Sequence, residues 1–130
     1  MTGLDTNVVV RFFVNDDPVQ FQRAGTLLAS FTSQSLGFIT LICLVEWVWV
    51  LRSQYRVSKL IILEWLERLL EASELAIENQ AAVEEATRRF ASGKSDFADY
   101  LIEIVGRSAG CRETVTFDMK ASRSAGMKLL

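Results

Sequence analysis

Residues 37–51 read G-F-I-T-L-I-C-L-V-E-W-V-W-V-L, and they combine a strand signal with a strongly apolar helix signal. The pattern predicts a short strand at residues 37–39 and a helix that ends near Tyr55. Glu46 is the only charge in the stretch, and no cation lies one helical turn away on either side. Burying an unpaired carboxylate costs on the order of several kcal/mol. The sequence therefore predicts either a metal ion that compensates Glu46 or a structural glutamate that meets a remote arginine or solvent.

The composition is that of a folded globular protein. The chain has 130 residues, of which half are hydrophobic and one is proline, and this predicts a single domain over residues 1–130. No uncharged apolar run reaches the roughly 18–20 residues of a membrane span, and no signal peptide is apparent. Cys43 and Cys111 lie on apolar stretches without metal-ligand spacing. They are expected to be buried free thiols in a reducing cytoplasm.

The chain contains no histidine, which excludes Ser-His and Cys-His nucleophiles and histidine-ligated zinc. Carboxylates remain as ligands, and hard oxygen ligands favour Mg²⁺ or Mn²⁺. The net charge is −2. Residues 1–85 carry −5 (six basic, eleven acidic) and residues 86–130 carry +3 (eight basic, five acidic). This asymmetry indicates a local basic face in the C-terminal third.

Short strand signals alternate with longer helix signals along the chain. Further strands are predicted at residues 1–4, 75–77, 113–117 and 127–130. Helices are predicted from Asp5-Thr6-Asn7, from Asp16-Asp17-Pro18, from Ser58, over 79–91 and over 96–108. In the helix from Ser58 the predicted apolar stripe is Leu60, Leu63, Leu66, Leu69 and Leu70. This alternation predicts an α/β protein, a three-layer α/β/α domain with a short, mostly parallel central sheet.

Several carboxylates are predicted to meet at one edge of that sheet. Asp5 and Asp118 directly follow predicted strands, and the carboxyl ends of parallel strands share one edge. Asp96 and Asp99 share a helix face, where Asp96 suits the N-cap and Asp99 is the better inward ligand. Together with Glu46 they would repel one another unless one or two divalent ions bound, which could also activate a water for phosphodiester hydrolysis. The alternative is that Asp5 and Asp118 merely cap helices and Asp99 lies on a solvated face.

Five sequence motifs occur in order along nearly the whole chain. They are L-D-T-N-V-V-V-R at 4–11, D-D-P-V-Q at 16–20, V-E-W-V-W-V-L at 45–51, S-D-F-A-D-Y-L-I at 95–102 and T-F-D at 116–118. In this combination the chain resembles a PIN-domain ribonuclease of the VapC toxin type, from type II toxin–antitoxin systems. The resemblance implies a Mg²⁺-dependent endoribonuclease that leaves 3′-hydroxyl and 5′-phosphate ends. It also implies a homodimer and a cognate antitoxin that covers the crevice and provides the only connection to DNA.

The resemblance also implies a set of functional residues. The catalytic, metal-binding acids of the family fall on Asp5, Glu46, Asp99 and Asp118, with Asp96 as an accessory acid. The supporting polar positions fall on Thr6, Asn7 and Thr116, the last of which resembles a hydroxyl residue that orients a neighbouring carboxylate.

Candidate RNA contacts come from the basic C-terminal third. They are Arg88, Arg89, Lys94, Arg107, Arg112, Lys120 and Arg123, and the alternative for each is an ordinary solvated charge. The apolar neighbours of Trp47, Trp49 and Trp65 favour core or interface packing over base stacking. The leucine-rich helix at 58–70 is a candidate for binding a dimer mate or an antitoxin helix, or it packs within the domain.

Three other functions compete with the ribonuclease. A phosphoacceptor receiver domain would place its acidic pair after the first strand, whereas Asp16-Asp17 follows a predicted helix. An aspartyl-nucleophile phosphatase would need a second aspartate where Asn7 stands. A non-catalytic binding partner in a repressor complex would retain its function when the acids are mutated.

Overall fold

The computed structural model describes all 130 residues and divides into two compact units, Met1–Gln80 and Ala81–Leu130. The first unit contains β1 (Thr2–Gly3), α1 (Thr6–Arg11), α2 (Pro18–Ser30), β2 (Gly37–Ile39), α3 (Leu41–Ser53), α4 (Lys59–Glu71) and β3 (Leu75–Ile77). From the boundary onward follow α5 (Gln80–Ser92), α6 (Phe97–Ser108), β4 (Val115–Thr116), α7 (Met119–Ser124) and β5 (Lys128–Leu129). The α/β class predicted from the sequence is confirmed.

All paired strands are parallel, as predicted. In the first unit the strand order is β1-β2-β3, with Thr2 opposite Gly37 and Gly37 opposite Leu75. In the second unit β4 and β5 form a separate two-stranded sheet. The strands at 1–4, 113–117 and 127–130 are shorter than predicted, since only Thr2–Gly3, Val115–Thr116 and Lys128–Leu129 pair as strands. Gly37 is required where it stands, since a Cβ atom there would lie 2.6 Å from the Phe31 ring.

Helix α3 forms the centre of the first unit. Leu44, Trp47 and Leu51 are fully buried on one side of it, and α1 and α4 pack against it. The Phe13 ring lies 5.6 Å from that of Trp47 and stacks on Trp65 at 4.8 Å between ring centroids. Core packing is therefore the role of Trp47 and Trp65, as predicted.

The opposite side of α3 faces solvent. Ile42 is 81% exposed, Trp49 is 61% exposed, and Glu46 lies between them on the same exposed face. Of the alternatives raised by the sequence, the structure therefore shows Glu46 open to solvent, and no burial penalty needs compensation. The apolar composition of α3 suggests burial on every side. In this fold, neighbouring elements cover only one side of the helix, so the other side remains exposed.

Two sequence predictions of burial are wrong. Leu60, assigned to the apolar stripe of α4, is 79% exposed, because the buried face of the helix is formed by Ile62, Leu66 and Leu69. Cys111 is exposed in the turn after α6, whereas Cys43 is buried as expected, and both are free thiols. No helix in the protein is both long enough and apolar enough to cross a membrane.

An ion-pair cluster holds α5 and α6 together in the second unit. The Arg89 guanidinium donates to Glu103 at 2.6 Å and to the carbonyl of Ala125 at 2.9 Å. The Arg107 side chain donates to Glu103 at 3.1 Å and to Glu85 at 2.7 Å. Burial alone would raise the pKa of Glu103, but the hydrogen bonds from Arg89 and Arg107 outweigh it and lower that pKa. The folded protein therefore stabilises the ionised form of Glu103.

We expect Glu103→Gln to lower the free energy of unfolding at pH 7 by about 1–3 kcal/mol, since it removes charged hydrogen bonds. Because the folded pKa lies below the ordinary value of 4.5, the stabilisation is complete above that pH and is lost as pH falls through the folded pKa. Urea unfolding of wild type and variant should therefore converge at acidic pH. Glu64→Gln, which alters the exposed pair with Arg68, is the control and should change stability by about 0.5 kcal/mol or less. If wild type and Glu103→Gln differed in free energy of unfolding by the same amount at pH 3 and at pH 7, the predicted role of the Glu103 charge would be contradicted.

Candidate active site

Two of the predicted acids are fixed by the helices that they start. Asp5 is the N-cap of α1, and its Oδ1 accepts a hydrogen bond from the Thr6 N–H at 2.8 Å. Asp118 is the N-cap of α7, and its Oδ1 accepts from the Lys120 N–H at 2.8 Å. The capping alternative is therefore correct for both residues. In each case the second carboxylate oxygen has no hydrogen-bond partner in the protein, so capping leaves it available to a ligand.

In the first unit, Asp5 and Glu46 lie near the same buried thiol. Burial is the main cause that raises the pKa of Cys43, while a hydrogen bond from the Thr6 side chain lowers it. The negative charges of Asp5 and Glu46 raise it further, so both carboxylates act on one thiol. Glu46 itself makes no hydrogen bond or ion pair within the protein. The first unit therefore contributes an acid pair at the start of α1 and on the exposed face of α3.

In the second unit, two neighbouring acids act on Asp99. The Asp99 Oδ2 accepts a hydrogen bond from the Asp96 N–H at 3.2 Å, and Asp96 is the N-cap of α6 as predicted. Burial is the main cause that raises the pKa of Asp99; the hydrogen bond from the Asp96 N–H lowers it. The charges of Asp96 and Asp118 raise it as well, and that of Lys120 lowers it. Asp96 and Asp118 are thus each close enough to act on Asp99.

A polar network that the sequence reasoning missed ties α6 to α7. The Ser95 hydroxyl donates to the carbonyl of Lys120 at 3.0 Å, and the Ser95 N–H donates to the Tyr100 hydroxyl at 3.2 Å. The Tyr100 and Ser124 hydroxyl oxygens lie 2.7 Å apart. Gly93 leaves room for the Tyr100 hydroxyl, which would overlap a Cβ atom at that position. Ser95 and Tyr100 stand inside the S-D-F-A-D-Y motif, so the signal was present, but only its acids were interpreted.

The supporting residues have more limited roles than the acids. The Thr116 hydroxyl accepts from the Asp118 N–H at 3.0 Å and so fixes the backbone of that acid rather than its carboxylate. Thr6 is buried beside Cys43, and Asn7 is exposed. Of the three, only Thr116 contacts a helix-capping acid through its side chain.

The predicted RNA-binding cations separate into two groups. Arg89 and Arg107 are engaged in ion pairs with Glu85 and Glu103, so their charges are already compensated. The others are exposed and form no ion pair: Arg88, Lys94, Arg112, Lys120 and Arg123. This second group supplies the free positive charge of the second unit.

The donor chemistry of the acids fits a hard divalent cation. No group of three or more Asp, Glu or Cys side chains in the protein is arranged to bind one metal ion. However, Asp5, Asp99 and Asp118 each have one oxygen fixed by a backbone N–H and one without a protein partner. Carboxylate oxygens of this kind are the ligands that Mg²⁺ and Mn²⁺ prefer.

The chain belongs to the PIN-domain family, whose profile matches residues 4–126 and therefore spans both units. PIN domains are generally nucleases that use divalent metal ions. Family membership agrees with the α/β/α class predicted from the sequence and removes the receiver and phosphatase alternatives. No curated protein sequence matches the chain.

Removing a neighbouring negative charge should lower the pKa of Asp99 in metal-free protein. We expect Asp118→Asn to lower the pKa of Asp99, because the negative charge of Asp118 raises it. Lys120→Met should raise the pKa of Asp99 further above its ordinary value of 3.8, because the positive charge of Lys120 lowers it. The side-chain ¹³C carboxyl shift of Asp99, followed through a pH titration, measures both effects. Asp17→Asn, at the N-cap of α2, is the control and should leave the titration unchanged. Identical Asp99 titrations in all variants would show that the three acids do not interact.

Proposed function

We propose that the protein is a Mg²⁺-dependent endoribonuclease and acts as the VapC-type toxin of a type II toxin–antitoxin pair. The observation that carries this proposal is that Asp5, Asp99 and Asp118 are each held by a backbone N–H on one oxygen and leave the other free. Membership in a family of nucleases supports it. The motifs quoted above support the toxin assignment, and a family match that spans residues 4–126 supports one functional domain over residues 1–130.

The residues proposed to hold the metal are the five acids. Asp5 and Asp99 are proposed as the firmest ligands, and each carboxylate, like that of Asp118, is oriented by a hydrogen bond on its other oxygen. Glu46 and Asp118 complete the set directly or through water, since Mg²⁺ commonly keeps several waters, and Asp96 is accessory. When bound, Mg²⁺ or Mn²⁺ neutralises charge on the phosphodiester and makes a water more acidic.

The remaining side chains would bind and position the RNA. Lys120 lowers the pKa of Asp99 and so favours the ionised carboxylate that a cation requires. The exposed cations without ion pairs, Arg88, Lys94, Arg112, Lys120 and Arg123, would hold backbone phosphates. Arg89 and Arg107 are not proposed for this role, because their ion pairs stabilise the unit itself.

The partners proposed are a second copy of the chain and an antitoxin, in the cytoplasm. Exposed apolar side chains on α3 and α4 support a protein contact: Ile42, Trp49, Leu60 and Ile61 are 81%, 61%, 79% and 42% exposed. An exposed apolar surface of this kind is typical of protein–protein contacts. DNA would be reached only through the antitoxin.

We expect Asp5→Asn and Asp99→Asn to reduce RNA cleavage by at least about 100-fold, because each removes a charged metal ligand. Asparagine at position 5 can still accept the capping hydrogen bond, so the variants should remain folded by circular dichroism. Cleavage of RNA by purified protein in Mg²⁺, and arrest of growth on induced expression, are the measurements.

Asp17→Asn is the matched control for this experiment. It makes the same chemical change at a helix cap whose Oδ1 accepts from the Gln20 N–H at 3.0 Å, but it lies outside the proposed site. It should retain full activity. Full cleavage by the Asp5 and Asp99 variants would contradict the metal site, and growth arrest without any cleavage would favour the non-catalytic binding partner.

A further inference from the structure

One aromatic side chain next to Asp118 is exposed to solvent. Phe117 is 80% exposed, although burying a phenylalanine side chain is worth about 1.5–3 kcal/mol. It lies between Thr116, at the end of β4, and Asp118, at the start of α7. The sequence reasoning placed it inside a strand and gave it no role.

The backbone on either side of Phe117 is held in place. The Thr116 carbonyl accepts from the Leu130 N–H at 2.8 Å, and the Thr116 hydroxyl accepts from the Asp118 N–H at 3.0 Å. The Asp118 carboxylate caps α7. The phenyl group therefore projects from a held backbone and directly precedes a candidate catalytic acid.

Free positive charge lies directly after this acid. Lys120 and Arg123 are three residues apart on α7, and both are exposed. Neither forms an ion pair, whereas Arg89 and Arg107 in the same unit do. Segment 116–123 thus presents one exposed aromatic ring, one carboxylate and two uncompensated cations within eight residues.

We propose that Phe117 is the base-stacking residue of this protein and seats one unpaired RNA base beside Asp118. Lys120 and Arg123 hold the phosphates that flank that base, so the adjacent phosphodiester is presented to Asp118. An aromatic face with neighbouring cations matches a nucleotide, which has a flat base and charged phosphates. The uncompensated charges favour this occupant over an apolar protein surface. The inference rests on the proposed ribonuclease function.

Binding is measured without divalent cations, so that no cleavage can occur, by fluorescence anisotropy of a labelled single-stranded oligoribonucleotide with full-length protein. We expect Phe117→Ala to weaken binding about 5- to 100-fold, which is the usual effect of losing one stacked base. Phe117→Trp should bind at least as well as wild type, and Phe117→Leu should bind as weakly as the alanine variant. The leucine variant separates stacking from simple apolar contact.

Val19→Ala is the matched control, because Val19 is 66% exposed and lies in the other unit. It should leave RNA binding unchanged. A series of oligoribonucleotides with one abasic site each gives the second readout. For one oligoribonucleotide in the series, wild type and Phe117→Ala should bind with equal affinity, because the base that stacks on Phe117 is missing.

Equal RNA binding by wild type and Phe117→Ala would overturn the inference. So would an altered sedimentation coefficient of Phe117→Ala with unchanged RNA binding, which would assign the ring to a contact between copies of the chain. Phe117-dependent binding without cleavage in any divalent metal would refute the proposed function and leave the stacking role intact. Cleavage that requires Asp99 but is unaffected by Phe117→Ala would support the proposed function and refute the stacking role.

Discussion

Hydrogen bonds from backbone N–H groups at helix starts orient the acids on which the account depends. The Thr6 N–H holds one oxygen of Asp5, the Lys120 N–H holds one oxygen of Asp118, and the Asp96 N–H holds one oxygen of Asp99. Each bond restricts the carboxylate and leaves its second oxygen without a partner. A structural role therefore does not exclude metal binding by these residues, because the backbone hydrogen bond occupies only one of the two oxygens.

The same caps follow closely on two strands. β1 and β4 are each two residues long, and one residue separates each strand from the cap, Asp5 or Asp118, that begins the next helix. In the second unit, Ser95, Tyr100 and Ser124 join the start of α6 to α7, so that Asp99 and Asp118 influence each other. Segments distant in the sequence are thus connected by hydrogen bonds before any metal is considered.

Much of the fold could be predicted from local sequence signals. The caps at Asp17, Ser58 and Asp96 and the strands at β2 and β3 follow from residue type and apolar period, and the structure has them. Which face of a helix is covered could not be predicted in the same way. The exposure of Glu46 and Leu60 depends on how neighbouring elements pack, and a single helix does not encode that.

The candidate site shows the same division. Residue type and order in the chain indicated the acids, and the motif resemblance named the class of protein. The ion pairs that occupy Arg89 and Arg107 depend on Glu85 and Glu103 meeting them across α5 and α6, which charge counts along a sequence do not reveal. The exposure of Phe117 likewise became visible only once the end of β4 and the cap of α7 were defined.

The central proposal is that Asp5, Glu46, Asp99 and Asp118 share one divalent ion, and paramagnetic broadening by Mn²⁺ tests it most directly. In ¹⁵N-labelled protein, the amide signals of residues 5–7 and 45–47 should broaden together with those of 96–100 and 118–121, at the same Mn²⁺ concentration. Competition with Mg²⁺ should restore all of them together. Broadening of only one group, or of the two groups with different affinities, would contradict the account.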